Sequence, residues 1–337
     1  MKSKNVVFSK KQVVELKEEQ VPELKYGEVL CAAKKSLISI GTELSCLKGQ
    51  YDKETYWEDF ISYPFHPGYS MAAEVVRVGE GVTDLKPGDR ISSWTEHQQY
   101  FTIHQDDAFL IPETVTDEEA TWNTLARTTQ LGVRRAELHL GETVGVVGLG
   151  MLGQLVVQYL RLMGARKIVA IDPVSSRLDM ALDHGATHVI NEDINDAAKK
   201  VEEITDGEML DVVFDITGHP DVLAPSTLLL RKLGRLILLG DSTTPSLQHL
   251  GPRVVGDSIS ILGIHGMMYP QVGTEFNPWT AGKMASLFFD YLKQGRMKVS
   301  DLITSRCSPM EAPKVYEALL KDRTSEMGVV FDWGEVE

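Results

Sequence analysis

Hydrophobic positions fall into two regimes along the chain. From residue 1 to about 115 the apolar residues come in short runs, at 5–8, 28–33 and 72–78. Turn signals separate them, among them Lys25-Tyr26-Gly27-Glu28, Gly79-Glu80-Gly81 and Lys86-Pro87-Gly88-Asp89. Short runs with Gly and Pro between them predict a closed or sandwiched β architecture. From Asp117, read as a helix cap, the pattern becomes helical, carrying Trp122, Asn123, Thr124, Arg127 and Thr128. Strand-length and helical patterns then alternate: strands at 144–147, 168–171, 189–190, 210–216, 235–239 and 258–262, helices at 155–162, 199–204 and 222–230. That alternation predicts an α/β fold with a doubly wound parallel sheet. The last stretch predicts helices at 281–293 and 309–321 and strands at 302–304 and 328–331. A helix and strand pair following a parallel sheet reads as a return to the first domain. The expected division is 1–116, 117–265 and 266–337, the last rejoining the first.

The densest signal lies between Thr143 and Asp172. A β-branched run, Val144 to Val147, has the character of a buried parallel strand. Gly148-Leu149-Gly150-Met151-Leu152-Gly153 follows at once and opens a helical pattern. A second buried run ends on Asp172. In such a loop the first glycine turns the chain out of the strand, the second lets a pyrophosphate approach the backbone, and the third lets helix and strand pack closely. The helix N-terminus supplies unpaired N–H groups and positive dipole charge to the phosphates. Asp172 stands 19 residues beyond Gly153, near the spacing of a carboxylate that accepts from the ribose hydroxyls and repels a 2′-phosphate. The loop, including Met151 and Leu152, with Asp172 and the nearby Arg177, therefore reads as a seat for NAD(H) in preference to NADP(H).

Composition narrows the remaining classes. The chain has 337 residues, 43% hydrophobic and 24% charged, ordinary for a globular protein of two domains. A net charge of −14 without a basic cluster argues against nucleic acid or an anionic membrane as partner. Three scattered cysteines, Cys31, Cys46 and Cys307, form no metal-ligand pattern and suit a reducing, cytoplasmic setting. The first residues lack the apolar core of a signal peptide, and no apolar run has the 18 or so residues of a membrane span.

Several strings together resemble the medium-chain dehydrogenase/reductases, the alcohol dehydrogenase superfamily. They are Tyr63-Pro64-Phe65-His66-Pro67-Gly68, the segment from Glu74 to Val82, Lys86-Pro87-Gly88-Asp89-Arg90, the glycine loop with Asp172, and Leu302-Ile303-Thr304 followed by Ala312, Tyr316 and Glu317. The resemblance implies a GroES-like β domain, a Rossmann domain and a cleft between them. It also implies a homo-dimer or homo-tetramer, often joined through the strand near 258–262. The departures concern zinc. Where zinc-dependent members read C-G-T-D and G-H-E, this chain reads Ile40-Gly41-Thr42-Glu43 and Gly68-Tyr69-Ser70. Their third ligand falls near Asn123-Thr124, and the segment from Ile91 to Tyr100 lacks the cysteines of a structural zinc lobe. Isoleucine and tyrosine cannot replace cysteine and histidine as ligands. The expectation is no zinc; a substitute set of His66, His97 and Glu43 is the alternative. The strings G-T-E-L and P-G-Y-S also resemble a smaller group that includes the bacteriochlorophyllide dehydrogenases.

Without a metal, side chains must polarise a carbonyl or take a hydroxyl proton. Thr42, Glu43, Tyr69 and His97 are the candidates: Thr42 as a relay hydroxyl, Glu43 as a base or supporting acid, Tyr69 as a donor and His97 as a proton relay. Thr128, Gly240, Gly263 and His265 are expected near the nicotinamide, and Trp57, Trp94, Tyr269 and Trp279 around the substrate. The expected function is zinc-independent, NAD(H)-dependent hydride transfer between a small secondary alcohol or sugar-like polyol and its ketone. A zinc-free quinone or enone reductase and a non-catalytic NAD(H)-binding redox sensor are the alternatives.

Overall fold

A computed structural model describes residues 1–334 and 336. The chain forms two units, Met1–Thr124 with Ala285–Glu337, and Leu125–Met284. In order it runs β1 (Lys2–Lys10), β2 (Val13–Gln20), β3 (Glu28–Ile38), α1 (Ile40–Lys48), α2 (Tyr56–Phe60), β4 (Met71–Val78), β5 (Arg90–Ser93), β6 (Tyr100–His104), β7 (Ala108–Leu110) and α3 (Asp117–Ala120). Then come α4 (Asn123–Arg135), β8 (Thr143–Val147), α5 (Met151–Met163), β9 (Lys167–Ile171), α6 (Ser175–His184), β10 (His188–Ile190) and α7 (Ala197–Ile204). They are followed by β11 (Leu210–Asp215), α8 (Leu223–Leu228), β12 (Leu230–Leu238), β13 (Ser260–Gly263), α9 (Ala281–Lys293), β14 (Ile303–Cys307), α10 (Ala312–Lys321) and β15 (Gly328–Asp332).

The second unit is a six-stranded sheet in the order β10-β9-β8-β11-β12-β13, parallel throughout. The order reverses at β8, which is where a doubly wound sheet opens toward a ligand. All five residues of β8 are buried, which is why its sequence is apolar without alternation. Val147, Val169, Ile171, Leu210, Val213 and Leu236 share one core cluster. Burying side chains of this size contributes roughly 1.5–3 kcal/mol each.

In the first unit a seven-stranded sheet runs β14-β15-β3-β4-β5-β7, with β6 also paired to β3, and β1 with β2 forms a separate hairpin. The chain's last strand is woven into the sheet: β15 lies antiparallel to β3, Val330 opposite Leu37. The final third of the chain thus supplies side chains beneath segments more than two hundred residues earlier.

The structure differs from the sequence pattern in four places. The first 115 residues are mostly β as the pattern predicts, but the helices α1 and α2, which it does not show, interrupt the strands. The helix at 117 is capped by Thr116 in a capping box with Glu119, while Asp117 instead pairs with Arg90 at 2.7 Å. The first unit extends to Thr124 rather than 116 because this segment is tied to the sheet: Ser92 donates to the Ala120 carbonyl and Asn123 donates to Ser92. The second unit extends to Met284 rather than 265 because residues 266–284 pack on α4. There Arg134 stacks on Trp279, and the Gln130 amide donates to the Met284 carbonyl.

Candidate active site and dinucleotide loop

In the second unit the glycine loop connects β8 to α5 at the carboxyl end of the strand. The three glycines have three different surroundings. Gly148 has φ +90°, a left-handed turn that an L side chain resists. A Cβ on Gly153 would stand 2.1 Å from the Gly148 carbonyl oxygen. A Cβ on Gly150 would meet nothing within 4 Å, so open space lies above the backbone where α5 begins. Gly150 caps α5 without any side-chain hydrogen bond. The first N–H groups of α5 thus face a space fit for phosphate oxygens.

Asp172 closes this loop. Its Oδ2 accepts from the Leu149 N–H at 2.7 Å and its Oδ1 from the Val174 N–H at 2.8 Å. Each carboxylate oxygen keeps a second lone pair for a further donor. The buried Gln154 fastens α5 to its surroundings, donating to the carbonyls of Leu149 and Arg177 and bonding the His184 ring. Gln154 carries no signal in the sequence, since a glutamine inside an apolar helix belongs to no motif. Arg177 lies on α6. Gly240 follows β12 where added side-chain atoms would strike the Ile216 carbonyl at 2.4 Å. Gly263 ends β13 in open space, and Thr128 lies against Gly266. His265 accepts from the Met267 N–H at 3.4 Å. Tyr269 stands 5.9 Å from the Arg127 guanidinium.

In the first unit a pocket of about 110 Å³ opens beside α1 and the start of β4. Phe60, Phe65, Tyr69 and Trp94 form its aromatic walls; Thr42, Glu43, His66 and Glu96 are its polar lining. Tyr69 and Trp94 stack with centroids 4.6 Å apart. The Tyr69 hydroxyl donates to Thr42 Oγ1 at 3.2 Å and is bonded to the Ser39 hydroxyl. A phenol has one proton. If that proton goes to Thr42, Ser39 must donate to Tyr69, and the hydroxyls run Ser39 to Tyr69 to Thr42. Burial pushes the Tyr69 phenol up to about 12, in spite of the bonds from Ser39 and Thr42, so it is a neutral donor at neutral pH.

Behind the pocket lies a buried chain of polar groups. Trp333 Nε1 donates to Ser36 Oγ at 2.9 Å. The Ser36 hydroxyl is also bonded to His97 Nδ1, 2.8 Å away. On its other side His97 Nε2 lies 3.2 Å from Glu43 Oε2, and since a carboxylate only accepts, Nε2 is the donor of that bond. Tyr316 donates to the same oxygen, and the Ser39 N–H donates to Oε1 at 2.7 Å. Glu43 is 1% exposed and His97 1%, so the ring stands behind Glu43 rather than in the pocket lining. Ser36, Ser39, Tyr316 and Trp333 were not legible as site residues: they meet only through the pairing of β3 with β15 and the packing of α10.

These protons set an alkaline limit. Burial raises Cys31, Cys46 and Tyr69 to about 12, and Tyr63 also reaches about 12. Each acid holds its proton more tightly folded than unfolded, so its stability contribution is complete below the unfolded pKa and is lost as pH rises toward the folded one. The thermal midpoint is expected to hold near neutrality and fall steadily from about pH 9 upward. A midpoint unchanged between pH 8 and pH 11 in melting scans contradicts that (both pH values roughly bracket the free thiol and phenol range).

Two family models match the chain: an alcohol dehydrogenase GroES-like domain over residues 25–113 and a zinc-binding dehydrogenase domain over residues 152–281. The sorbitol dehydrogenase of Bacillus subtilis (strain 168) is 27% identical over 292 residues, covering 76% of this chain and 80% of the relative. An L-threonine 3-dehydrogenase of Bacillus licheniformis is 25% identical over 344 residues, covering 92% and 93%. The fold matches that of a zinc-binding dehydrogenase from Sinorhizobium meliloti 1021 solved with NADP, with a TM-score of 0.82 at 20% identity over 98% of this chain and 99% of that one. The chain belongs to the medium-chain dehydrogenase/reductase superfamily.

The zinc implied by one of those models does not fit the residues present. At the corresponding positions Ile40 is a buried hydrocarbon, Tyr69 is a neutral phenol bonded to two hydroxyls, and Asn123 is an amide held by Ser92. His66 is turned to Glu19, 3.0 Å away, and not toward His97 and Glu43. Among the described residues no three His, Cys, Asp or Glu side chains gather as a metal site.

Proposed function

We propose that this protein is an NAD(H)-dependent oxidoreductase that interconverts a small secondary alcohol or polyol and its ketone without zinc. The observation that carries the reading is the hydroxyl chain Ser39–Tyr69–Thr42, whose middle member, Tyr69, stands where the zinc-dependent pattern reads histidine. Sorbitol and threonine dehydrogenases among the relatives act, by their names, on hydroxyl-bearing small molecules, which supports the substrate class. A bound nicotinamide would supply the hydride acceptor or donor. Gly150 and the first turn of α5 would hold its pyrophosphate, and Asp172 the adenosine ribose hydroxyls. Thr42, at the end of the hydroxyl chain, directs its own proton into the pocket and hydrogen-bonds the substrate oxygen. Tyr69 polarises Thr42 from behind. Glu43 anchors the start of α1 by accepting from Ser39, the residue that also feeds Tyr69. His97 fixes the Glu43 carboxylate in place.

The cofactor choice rests on Asp172. NADH is expected to bind more tightly than NADPH, because a 2′-phosphate would meet a buried carboxylate. Asp172→Ser is expected to weaken NADH about tenfold and to narrow or reverse the preference, read by fluorescence titration of both reduced cofactors. Tighter binding of NADPH by the unaltered protein would sink the assignment. The activity itself is tested by NADH formation from a panel of secondary alcohols and polyols; a panel of enones and quinones with NADH tests the reductase alternative.

A further inference from the structure

The charge and shape of the first-unit pocket go further than the reaction class. Among the described residues no lysine or arginine lines it. Glu43 lies in its lining with no lysine or arginine among its hydrogen-bond partners, which are Ser39, His97 and Tyr316. Glu96 is a second carboxylate in the lining, bonded only weakly to the Gln98 amide at 3.3 Å. His66, the one basic group there, is matched by the Glu19 carboxylate at 3.0 Å. The walls are four aromatic rings. An anionic substrate would meet the Glu96 carboxylate with no lysine or arginine in the lining to offset it. A cation gains from both features, since rings attract it through their quadrupoles and carboxylates by charge. The whole chain carries −14, which draws cations toward it from solution.

We propose that this pocket seats the cationic end of the substrate, so that the alcohol oxidised is an amino alcohol or another ammonium-bearing secondary alcohol. The proposal rests on the reading of this pocket as the alcohol site, and it specifies the class of molecule within it. Trp94 and Glu96 recognise the ammonium group, and Thr42 takes the hydroxyl.

Calorimetric titration of the full-length protein with three probes at neutral pH tests this: 1-amino-2-propanol, a cation; 2-butanol, its neutral near-isostere; and lactate, an anion. The cation is expected to bind at least about tenfold more tightly than 2-butanol, with no detectable lactate binding. Glu96→Gln is expected to remove most of that advantage. Equal or weaker binding of the cation, or preferred binding of lactate, overturns the proposal even if Glu96→Gln fails to fold, because the comparison is made on the unaltered protein. The two readings fail separately. Preferred binding of the amine without NAD-dependent oxidation leaves the cation site standing and removes the dehydrogenase assignment. Oxidation of 2-butanol with indifference to the amine does the reverse.

Discussion

Gly153→Ala is expected to weaken NADH binding by about 10- to 100-fold and to lower the thermal midpoint. The added methyl would lie 2.1 Å from the Gly148 carbonyl oxygen, far inside contact distance. That oxygen is backbone and cannot rotate away like a side-chain tip. Either α5 must back away from β8 or the loop must open. Overpacking of a close-packed element costs about 1–3 kcal/mol, and at this position the same displacement spoils the phosphate seat. Gly150→Ala is the control: its methyl meets no protein atom within 4 Å, so stability should be retained while cofactor affinity falls. Fluorescence titration and melting curves of both variants separate packing from binding. Unaltered NADH affinity in Gly153→Ala would mean that the dinucleotide does not use this loop.

Tyr69→Phe is expected to reduce turnover about a hundredfold with little change in NADH affinity. The substitution keeps the ring that stacks on Trp94 but cuts the chain between Ser39 and Thr42. Thr42 then loses the donor that polarises it. Because the phenol holds its proton up to about 12, the rate of the unaltered enzyme should show no tyrosine ionisation through the neutral range. Chelation with EDTA should leave that rate unchanged. Stoichiometric zinc by elemental analysis, or a Tyr69→Phe variant with the parent's turnover, would remove the side-chain mechanism.

Much of the second unit is legible residue by residue. The run ending at Val147, the three glycines and Asp172 are contiguous or regularly spaced, so each carries its own local signal of strand, turn or helix start. The helix at 281–293 is legible for the same reason, having an apolar stripe at helical spacing. The first unit is less so. The helix α1, which carries Thr42 and Glu43, sits in a stretch otherwise rich in strand signals and has only a weak apolar face. The shift of the segment 117–124 into the first unit depends on Arg90, Ser92 and Gly328, residues remote in sequence that meet it only after the sheet has formed.

Local sequence determined where the backbone turns, which runs are buried on both faces, and which positions can bear no side chain, because these follow from sterics and hydrophobic spacing within about twenty residues. It also puts an isoleucine and a tyrosine, Ile40 and Tyr69, where the zinc-dependent pattern reads cysteine and histidine. Tertiary structure alone decided which polar groups gather behind them. Ser36, His97, Glu43, Tyr316 and Trp333 are scattered over almost three hundred residues and become one hydrogen-bonded chain only when β15 pairs with β3 and α10 packs beneath α1. A buried carboxylate must find its donors wherever the fold brings them, and no periodicity in the sequence records that requirement.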